Sequence, residues 1–319
     1  MRASTFIKVA AISLWCGGAL GWNSLGHMMV ARIAELQLQA SSPDTLAKAY
    51  ACLSSLNPFF KETPNSLLEA AVMPDYLNFD FGGFLAYYHY TNTPIIYKND
   101  DSSLFHPEPF PFDINFAFKS AVDIIKNSQD PAQQKDATVK NGLMDSLMLR
   151  YLIHITGDSH QPLHASTLFS STLLDGTIVA GDKGGNLIPV NDVFGINLNH
   201  LHTLWDAAVG QFDEIKELPL SQSNFDLVDM KAKLLVSEFP LSYFSDDVKI
   251  IDMEKWIAES FRYAQEFVYQ DIDVFPLLTP QYILTGQKLC RRRLALSGYR
   301  LAEILKVVFA PRKAGESAI

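Results

Sequence analysis

After its first 21 residues the sequence has no apolar run long enough to cross a bilayer, which excludes a membrane span in the rest of the chain. It also lacks Ser-, Pro- or Gly-rich linkers, low-complexity stretches and repeats of a fixed period. Strand-like alternation of apolar and polar residues is scarce. We therefore expect a single domain that is mainly helical.

Cysteine is scarce, with three in 319 residues. Cys16 lies in the N-terminal segment discussed below, which leaves Cys52 and Cys290. An oxidising compartment would allow these two to pair in a disulfide, and two free buried thiols are the alternative. No Asn-x-Ser/Thr sequon is present, which favours a bacterial secreted or periplasmic protein.

Basic residues are also few, with 26 Lys and Arg against 35 Asp and Glu. Removal of residues 1–21, which include Arg2 and Lys8 but no acidic residue, would leave 24 basic residues and a net charge of −11. This balance argues against a nucleic-acid binder that works through a basic surface.

Residues 1–21 have the composition of a signal peptide. A positively charged start leads into the mostly apolar run 7–14, and the small residues Ala19 and Gly21 occupy the positions that a signal peptidase recognises. We expect cleavage after Gly21 and a secreted or periplasmic protein. A membrane anchor and a lipid anchor on Cys16 are the alternatives.

Most of the remaining chain shows the apolar spacing of helices, and the predicted helices are 25–39, 114–127, 142–160, 198–210, 226–237, 253–270 and 281–309. Turn residues dominate the region 165–197. We expect an all-α domain over 22–310 with a long loop or small hairpin near 165–197, followed by a C-terminal tail at 311–319. The three arginines at 291–293 are expected on the solvent side of the last helix.

The segment 147–158 is apolar on nearly every face of a helix, so we expect it to be buried. His154 and Asp158 lie four residues apart in it and share one face. An ionised carboxylate in a buried helix needs a compensating charge, which a chelated metal ion would supply. A buried His–Asp hydrogen-bonded pair is the alternative for these two residues taken alone.

The same spacing recurs at His202 and Asp206 on a second apolar helix. His164 lies six residues beyond Asp158, after the point where Pro162 should end the first helix. Imidazole and carboxylate are common zinc ligands, so the repeated arrangement favours a metal site over two separate structural pairs.

Three further residues fit a metal site, although each taken alone is more often structural. Asp75 follows a Met-Pro pair at a helix end, and His89 lies in the aromatic run 87–90. His27 lies five residues after the first residue of the expected mature chain, Trp22. A structural or solvated role stays open for all three.

These features together resemble the zinc-dependent single-strand nucleases of the mung-bean-nuclease type, a family related in fold to the bacterial zinc phospholipases C. The most specific segment is His-Ile-Thr-Gly-Asp-Ser-His-Gln-Pro-Leu-His at 154–164, which is similar to the core motif of the family. Segments that also match, in the order of the family, are 22–27, 181–186 and 199–206.

The resemblance implies three Zn²⁺ ions. One would be bound by Asp75, His89, His154 and Asp158. A second would be bound by the amine and carbonyl of Trp22, by His27 and again by Asp158. A third would be bound by His164, His202 and Asp206. Asp158 would then bridge two dications, which explains a buried carboxylate at this position.

Trp22 would act as a chain terminus in this ligand set. An α-amine with a pKa of about 8 loses its proton readily to a metal ion, and the amine and carbonyl of one residue close a five-membered chelate ring. The amine is not available while the leader is attached. We therefore expect the uncut chain to lack a complete second metal site.

The resemblance also implies the chemistry. Zinc lowers the pKa of bound water to about 7, the activated water attacks phosphorus in line, and the third zinc stabilises the leaving 3′-oxygen. The products would carry 5′-phosphates, and a 3′-nucleotidase activity is a further expectation. Asp158 and Asp75 are the residues to which we assign catalytic roles.

Three residues are expected to contact the substrate: Tyr90 by stacking on a base, Asn92 by bonding to it, and Asn186 by donating to a phosphate oxygen. Two positions depart from the family, because Asn78 stands where relatives often carry Lys or Arg and Asn92 where many carry Asp. Three zinc ions would change the net charge from −11 to −5. Binding through metal–phosphate contact and base stacking suits unpaired strands of DNA or RNA.

Two other functions remain as alternatives. A zinc phospholipase C would use similar metals on a lipid diester, but its last ligand is usually Glu, where this chain has Asp206. A non-catalytic, zinc-stabilised binding protein is disfavoured because no ligand of the implied set has been lost. We expect a monomer with no stable protein partner.

Overall fold

The computed structural model describes residues 21–60, 62–80, 83, 85–98, 100–105, 110–129, 142–191, 194–195, 198–270 and 278–311. Within these residues the α-helices are α1 (Ser24–Ser41), α2 (Pro43–Leu53), α3 (Asn57–Phe60), α4 (Met73–Asp80), α5 (Ile114–Ser128), α6 (Gly142–Asp158), α7 (Leu201–Asp206), α8 (Gln222–Glu238), α9 (Leu241–Phe244), α10 (Met253–Tyr263) and α11 (Pro280–Val308). The strands there are β1 (Thr93–Ile96) and β2 (Ser166–Phe169). The prediction of a mainly helical fold is confirmed.

Helix α6 lies at the centre of the molecule, because its apolar residues occupy every face. It packs against α5 and α2 and also contacts α1, α4 and α11. From Met148 to Asp158 every residue of this helix is buried. The helix that carries His154 and Asp158 is therefore held on all sides, as its sequence predicts.

The long helices α1 and α11 pack against each other over much of their length. Gly298 of α11 allows the close approach, since a Cβ atom there would lie 2.5 Å from the Cβ atom of Ile33 on α1. Asn23 caps α1 by accepting a hydrogen bond from the Gly26 amide at 3.1 Å. The Asn23 amide itself donates to the Asp206 carbonyl at 3.0 Å, which places the start of α1 beside the end of α7.

The region 165–197 begins as a strand and continues as a loop. Strand β2 pairs in parallel with β1, so its partner comes from far upstream and not from a hairpin within the region. Asp182 holds the following turn against β2, because its carboxylate accepts from the Leu168 amide and the Tyr269 hydroxyl, both at 2.8 Å. A long loop, one of the two forms expected, is what the described residues of this region show.

Several expectations need correction. The apolar spacing did not predict α2 or α4, and the helix expected at 198–210 covers Leu201–Asp206 alone. Arg293 does not face solvent: it is 1% exposed in the core, whereas Arg291 and Arg292 are partly exposed. The reason is that Arg293 shares its face of α11 with other buried residues.

Cys52 and Cys290 are free thiols, so the disulfide considered from the sequence is not formed. Residues 1–20 of the expected signal peptide and 312–319 of the expected tail lie outside the described residues. Among the helices that are described, none combines the length and the apolar composition needed to cross a membrane.

Candidate metal centre

Buried histidines and aspartates form three groups, and within each group the potential ligand atoms lie no more than 4.8 Å apart. The first contains His27, His154 and Asp158; the second contains Asp75, His89 and His154; the third contains His164, His202 and Asp206. The structure thus brings together the eight side chains predicted as zinc ligands besides Trp22.

Asp158 ends α6 and lies between the first two groups. Its Oδ1 atom is 3.2 Å from Nε2 of His27, and its Oδ2 atom is 3.1 Å from Nδ1 of His89. Oδ2 is also 3.2 Å from Nε2 of His154, one helical turn earlier. Because its two oxygens face different histidines, this carboxylate can serve two cations at once.

Asp75 reaches the second group from the first turn of α4. Its Oδ1 atom lies 3.3 Å from Nε2 of His154 and 3.6 Å from Nδ1 of His89. The ring of His154 stacks on that of His27 with centroids 3.9 Å apart, so the first two groups adjoin.

The third group combines the turn after α6 with the short helix α7. Nε2 of His164 lies 3.3 Å from Nε2 of His202, which is 3.4 Å from Oδ2 of Asp206. The four-residue spacing of His202 and Asp206 places both on one face of α7. Proline at 162 turns the chain so that His164 faces them.

Backbone carbonyls fix the orientation of three of these histidines. Nδ1 of His154 donates to the Ala71 carbonyl and Nδ1 of His202 to the Gly184 carbonyl, each at 2.6 Å. Nδ1 of His164 donates to the His89 carbonyl at 2.7 Å. With the proton on Nδ1, each Nε2 atom carries a lone pair that faces its group, as in metal sites where a second partner orients the imidazole.

The electrostatics of the groups favours a bound cation. Burial alone would raise the pKa of Asp158, but His154 holds that pKa well below its ordinary range. Burial alone would lower the pKa of His154, but Asp158 and Asp75 raise it well above the ordinary value. At Asp206, burial prevails and raises the pKa well above its ordinary value. The carboxylates therefore depend on nearby positive charge to stay ionised.

Several buried atoms of the groups have no hydrogen-bond partner within the described part of the chain. They are Oδ1 of Asp75, Oδ1 of Asp158, both ring nitrogens of His27 and Nε2 of His89. Buried polar atoms are nearly always paired, so each such atom needs an explanation. A cation between them supplies one, and imidazole nitrogen with carboxylate oxygen is a donor set that zinc accepts.

Trp22, the first residue of the expected mature chain, lies against the first group. Trp22 is fully buried, and its indole Nε1 donates to the Gly157 carbonyl at 3.0 Å, one residue before Asp158. The backbone of Gly21 is so close that a Cβ atom on it would lie 1.6 Å from Oδ1 of Asp158 and 2.8 Å from Nε2 of His27. The peptide bond between residues 21 and 22 is therefore beside two of the predicted ligands.

The residues predicted to contact substrate lie on segments that also carry ligands. Tyr90 follows His89 and is partly buried. Asn92 is exposed, and its Oδ1 atom accepts from the Thr167 hydroxyl at 2.8 Å. Asn186 lies two residues after Gly184, and its side-chain Nδ2 atom donates to a backbone carbonyl within the same turn at 2.9 Å. Asn78, which departs from the family pattern, is buried on α4.

Gln161 also contacts the centre, although no separate role was predicted for it. Its Nε2 atom donates to Oδ1 of Asp206 at 2.7 Å, and its Oε1 atom accepts from the Leu163 amide at 2.6 Å. This contact leaves Oδ2 of Asp206 directed at His202. The position of Gln161 inside the motif at 154–164 was the one signal for it.

A family model described as S1/P1 Nuclease matches residues 22–310. Endonuclease 4 of Arabidopsis thaliana is 25% identical over 97% of this chain and 97% of its own length. Endonuclease 2 of the same plant is 24% identical over 91% of each chain. Nuclease S1 of Aspergillus oryzae is 25% identical over 90% of this chain and 92% of its own.

Proposed function

The chain belongs to the S1/P1 nuclease family, and from this premise we propose that it is an exported zinc-dependent endonuclease that cleaves single-stranded DNA and RNA. The resemblance to mung-bean-type nucleases is thereby confirmed, and the protein is an enzyme that hydrolyses phosphodiester bonds. We propose 5′-phosphorylated products and a 3′-nucleotidase activity of the same site.

The main support for this proposal is that the first two buried groups share His154, and that Asp158 of the first group lies 3.1 Å from His89 of the second. We propose one zinc ion for each group, with His154 bound to the zinc of Asp75 and His89, and Asp158 shared between that zinc and the zinc of His27. The ligand set that we propose is Trp22, His27, Asp75, His89, His154, Asp158, His164, His202 and Asp206. The unpartnered oxygens of Asp75 and Asp158 support it, because a bound cation would satisfy both.

Bound zinc would supply a Lewis acid that lowers the pKa of water and stabilises charge on phosphate oxygens. The chain's own residues prepare the site for it. Asp158 contacts both of the first two groups. The carbonyls of Ala71 and Gly184 hold His154 and His202 in one tautomer. We propose that Asp75 also orients the water that attacks phosphorus.

Trp22 is proposed as a ligand through its amine and carbonyl, with its indole anchoring the terminus to α6. Support comes from Gly21, whose backbone lies against Asp158 and His27. Removal of residues 1–21 would clear this space and create the amine. We therefore propose that export and cleavage complete the centre, and that the mature protein is a secreted or periplasmic monomer.

For substrate contacts we propose stacking of a base on Tyr90 and polar contacts from Asn92 and Asn186. The acidic composition supports a binding mode with few Lys or Arg contacts to phosphate. Asn78 is neutral where relatives often have a cation, which supports the same conclusion.

The test is an assay series on the purified mature protein. Single-stranded DNA, RNA, duplex DNA and phosphatidylcholine vesicles are each offered with and without a chelator. We expect chelator-sensitive cleavage of the single strands and little cleavage of the duplex. Cleavage of the lipid alone would overturn the proposal and favour a phospholipase.

A further inference from the structure

Four aromatic side chains outside the metal groups are exposed next to one another. Tyr87 and Phe110 are each 41% exposed, Phe112 is 50% exposed and Phe116 is 37% exposed. We call these four residues the aromatic strip. Single exposed apolar residues are common, but a contiguous exposed aromatic surface indicates a binding site.

The aromatic strip adjoins Tyr90, the residue that follows His89 of the candidate metal centre. The ring of Tyr90, next to the metal-group residue His89, lies 5.8 Å from that of Tyr87. Tyr87 stacks on Phe110 with centroids 3.6 Å apart. Phe112 follows at 6.0 Å from Phe110, and Phe116 at 5.0 Å from Phe112. A line of rings therefore runs from Tyr90, the residue that follows His89, to the surface at the start of α5.

The backbone fixes the outer half of the aromatic strip. Asp113 caps α5 by accepting from the amides of Asn115 and Phe116 at 3.0 and 3.3 Å. The Ile114 amide donates to the Tyr90 carbonyl at 3.2 Å, so the two segments that carry the rings are bonded to each other. The rings are thus held in place before any ligand arrives, which reduces the entropy lost on binding.

We propose that the aromatic strip is a second nucleobase-binding surface, on which unpaired bases of the substrate strand stack beyond the nucleotide held at the metal groups. The inference rests on the proposed function. Every nucleobase has a π face, so stacking on aromatic side chains accepts any sequence. Bases in a duplex are already stacked and paired, so this surface favours single strands.

Charge supports this occupant. The chain has 26 basic against 35 acidic residues, a net charge of −9, and this composition disfavours a basic track along the strand. The carboxylate of Asp113, the acidic group between Phe112 and α5, is engaged in capping the helix. Stacking on the aromatic strip would supply the part of the affinity for a long substrate that phosphate contacts do not.

The test compares a dinucleotide with a dodecanucleotide of DNA that has one phosphodiester flanked by hydrolysis-resistant linkages. In the double variant Phe110→Ala/Phe112→Ala we expect KM for the dodecanucleotide to rise at least about 5-fold, the effect of losing one stacked base. We expect kcat, zinc content and the kinetics on the dinucleotide to stay unchanged. Phe59→Ala is the matched control, since Phe59 is 73% exposed elsewhere on the surface.

A second measurement changes the substrate. With the wild-type protein, a dodecanucleotide that is abasic outside the two nucleotides at the cleaved bond should show the same rise in KM, and the double variant should show no further rise on it. Equal KM values for intact and abasic strands would overturn the inference while leaving the nuclease intact. Failure to cleave any nucleic acid would overturn the proposed function itself. Loss of vesicle binding in the variant, with KM unchanged, would assign the aromatic strip to a membrane and also overturn the inference.

Discussion

Among single residues, Asp158 is the carboxylate that connects the first two metal groups. Its two oxygens face His27 on one side and His89 and His154 on the other. His154 also belongs to both groups, but it faces them with one nitrogen, whereas Asp158 contacts His27 and His89 with different oxygens. A neutral side chain here would leave two cations without their shared counter-charge.

We predict that Asp158→Asn loses two of three zinc ions and reduces the rate on single-stranded DNA by at least about 100-fold, the scale expected when a metal's electrostatic contribution is removed. Zinc per chain, measured by mass spectrometry, and single-strand cleavage check this. Asp145→Asn at the start of the same helix is the control. Full activity in Asp158→Asn would contradict the shared-ligand mechanism.

Gln161 acts on the third group by orienting Asp206. Its removal leaves Oδ1 of Asp206 without its 2.7 Å donor. We predict that Gln161→Ala lowers the affinity for one zinc ion by about 10- to 100-fold, as loss of a ligand's orienting partner does in other metal sites. Competition with a chelator of known affinity measures this, and Gln222→Ala on the surface serves as the control. If Gln161→Ala retains all of its zinc as well as Gln222→Ala does, this role is excluded.

The repeated His and Asp spacing in apolar helices indicated a metal site, whereas Asp75, His89 and His27 were assigned as ligands through the resemblance to a known family. The orienting carbonyls of Ala71 and Gly184 were not predictable, since any residue has a carbonyl and tertiary packing alone brings it to a histidine. Arg293 was misplaced for a related reason. A run of three arginines does not reveal which one faces the core.

At the scale of elements, the start of α1 is tied to the metal centre by Trp22 and Gly21. A protein that begins at Gly21 would present an amide at residue 22 and keep the Gly21 backbone against Asp158. We predict that it loses one zinc ion and most of its activity. Trp22→Phe removes the indole donor to Gly157 but keeps the amine, so it should retain three zinc ions. Normal zinc content in the protein that begins at Gly21 would remove Trp22 from the ligand set.

Helices α10 and α11 brace the turn that follows Asp158. Arg293 and Arg300 each bind Glu259 at 2.7 Å, and both also bond to His160 in that turn. Burial alone would raise the pKa of Glu259, but Arg300 and Arg293 lower it to about 2. Because the pKa is depressed by folding, this carboxylate stabilises the protein fully above pH 4.5, its ordinary pKa, and less as pH falls towards 2.

We predict that Glu259→Gln lowers the free energy of unfolding at neutral pH by about 3 kcal/mol, the equivalent of this pKa difference. The variant should also lose part of the acid sensitivity of the wild type. Urea unfolding at neutral and acid pH checks both. Glu254→Gln is the control, because its partner Lys119 is 62% exposed and the pair contributes little. Equal stability of the two variants would contradict the bracing role.

Elements differ in how far the sequence predicted them. Helix α6 is apolar on all faces, so both its existence and its burial followed from composition. Strands β1 and β2 are four residues each and pair across a long stretch of chain. Such a pairing depends on the packing of the whole molecule, so no local sequence pattern could have predicted it.

At the scale of the whole molecule, the acidic composition should make binding depend little on salt. If one phosphate is held at the metal groups and bases supply the rest, KM for a single strand should change by about threefold or less between about 50 and 200 mM salt. Steady-state kinetics across this range checks the prediction. A change well above tenfold would mean that Lys and Arg contacts dominate binding.

The central claim is that three buried groups of His and Asp form one metal-dependent nuclease centre. The most direct test is to count zinc in the protein that begins at Trp22 and to assay single-stranded DNA before chelation, after it, and after zinc is restored. We predict three zinc ions per chain, loss of cleavage when the metal is removed, and recovery of cleavage when zinc is restored. Undiminished cleavage by metal-free protein would contradict it.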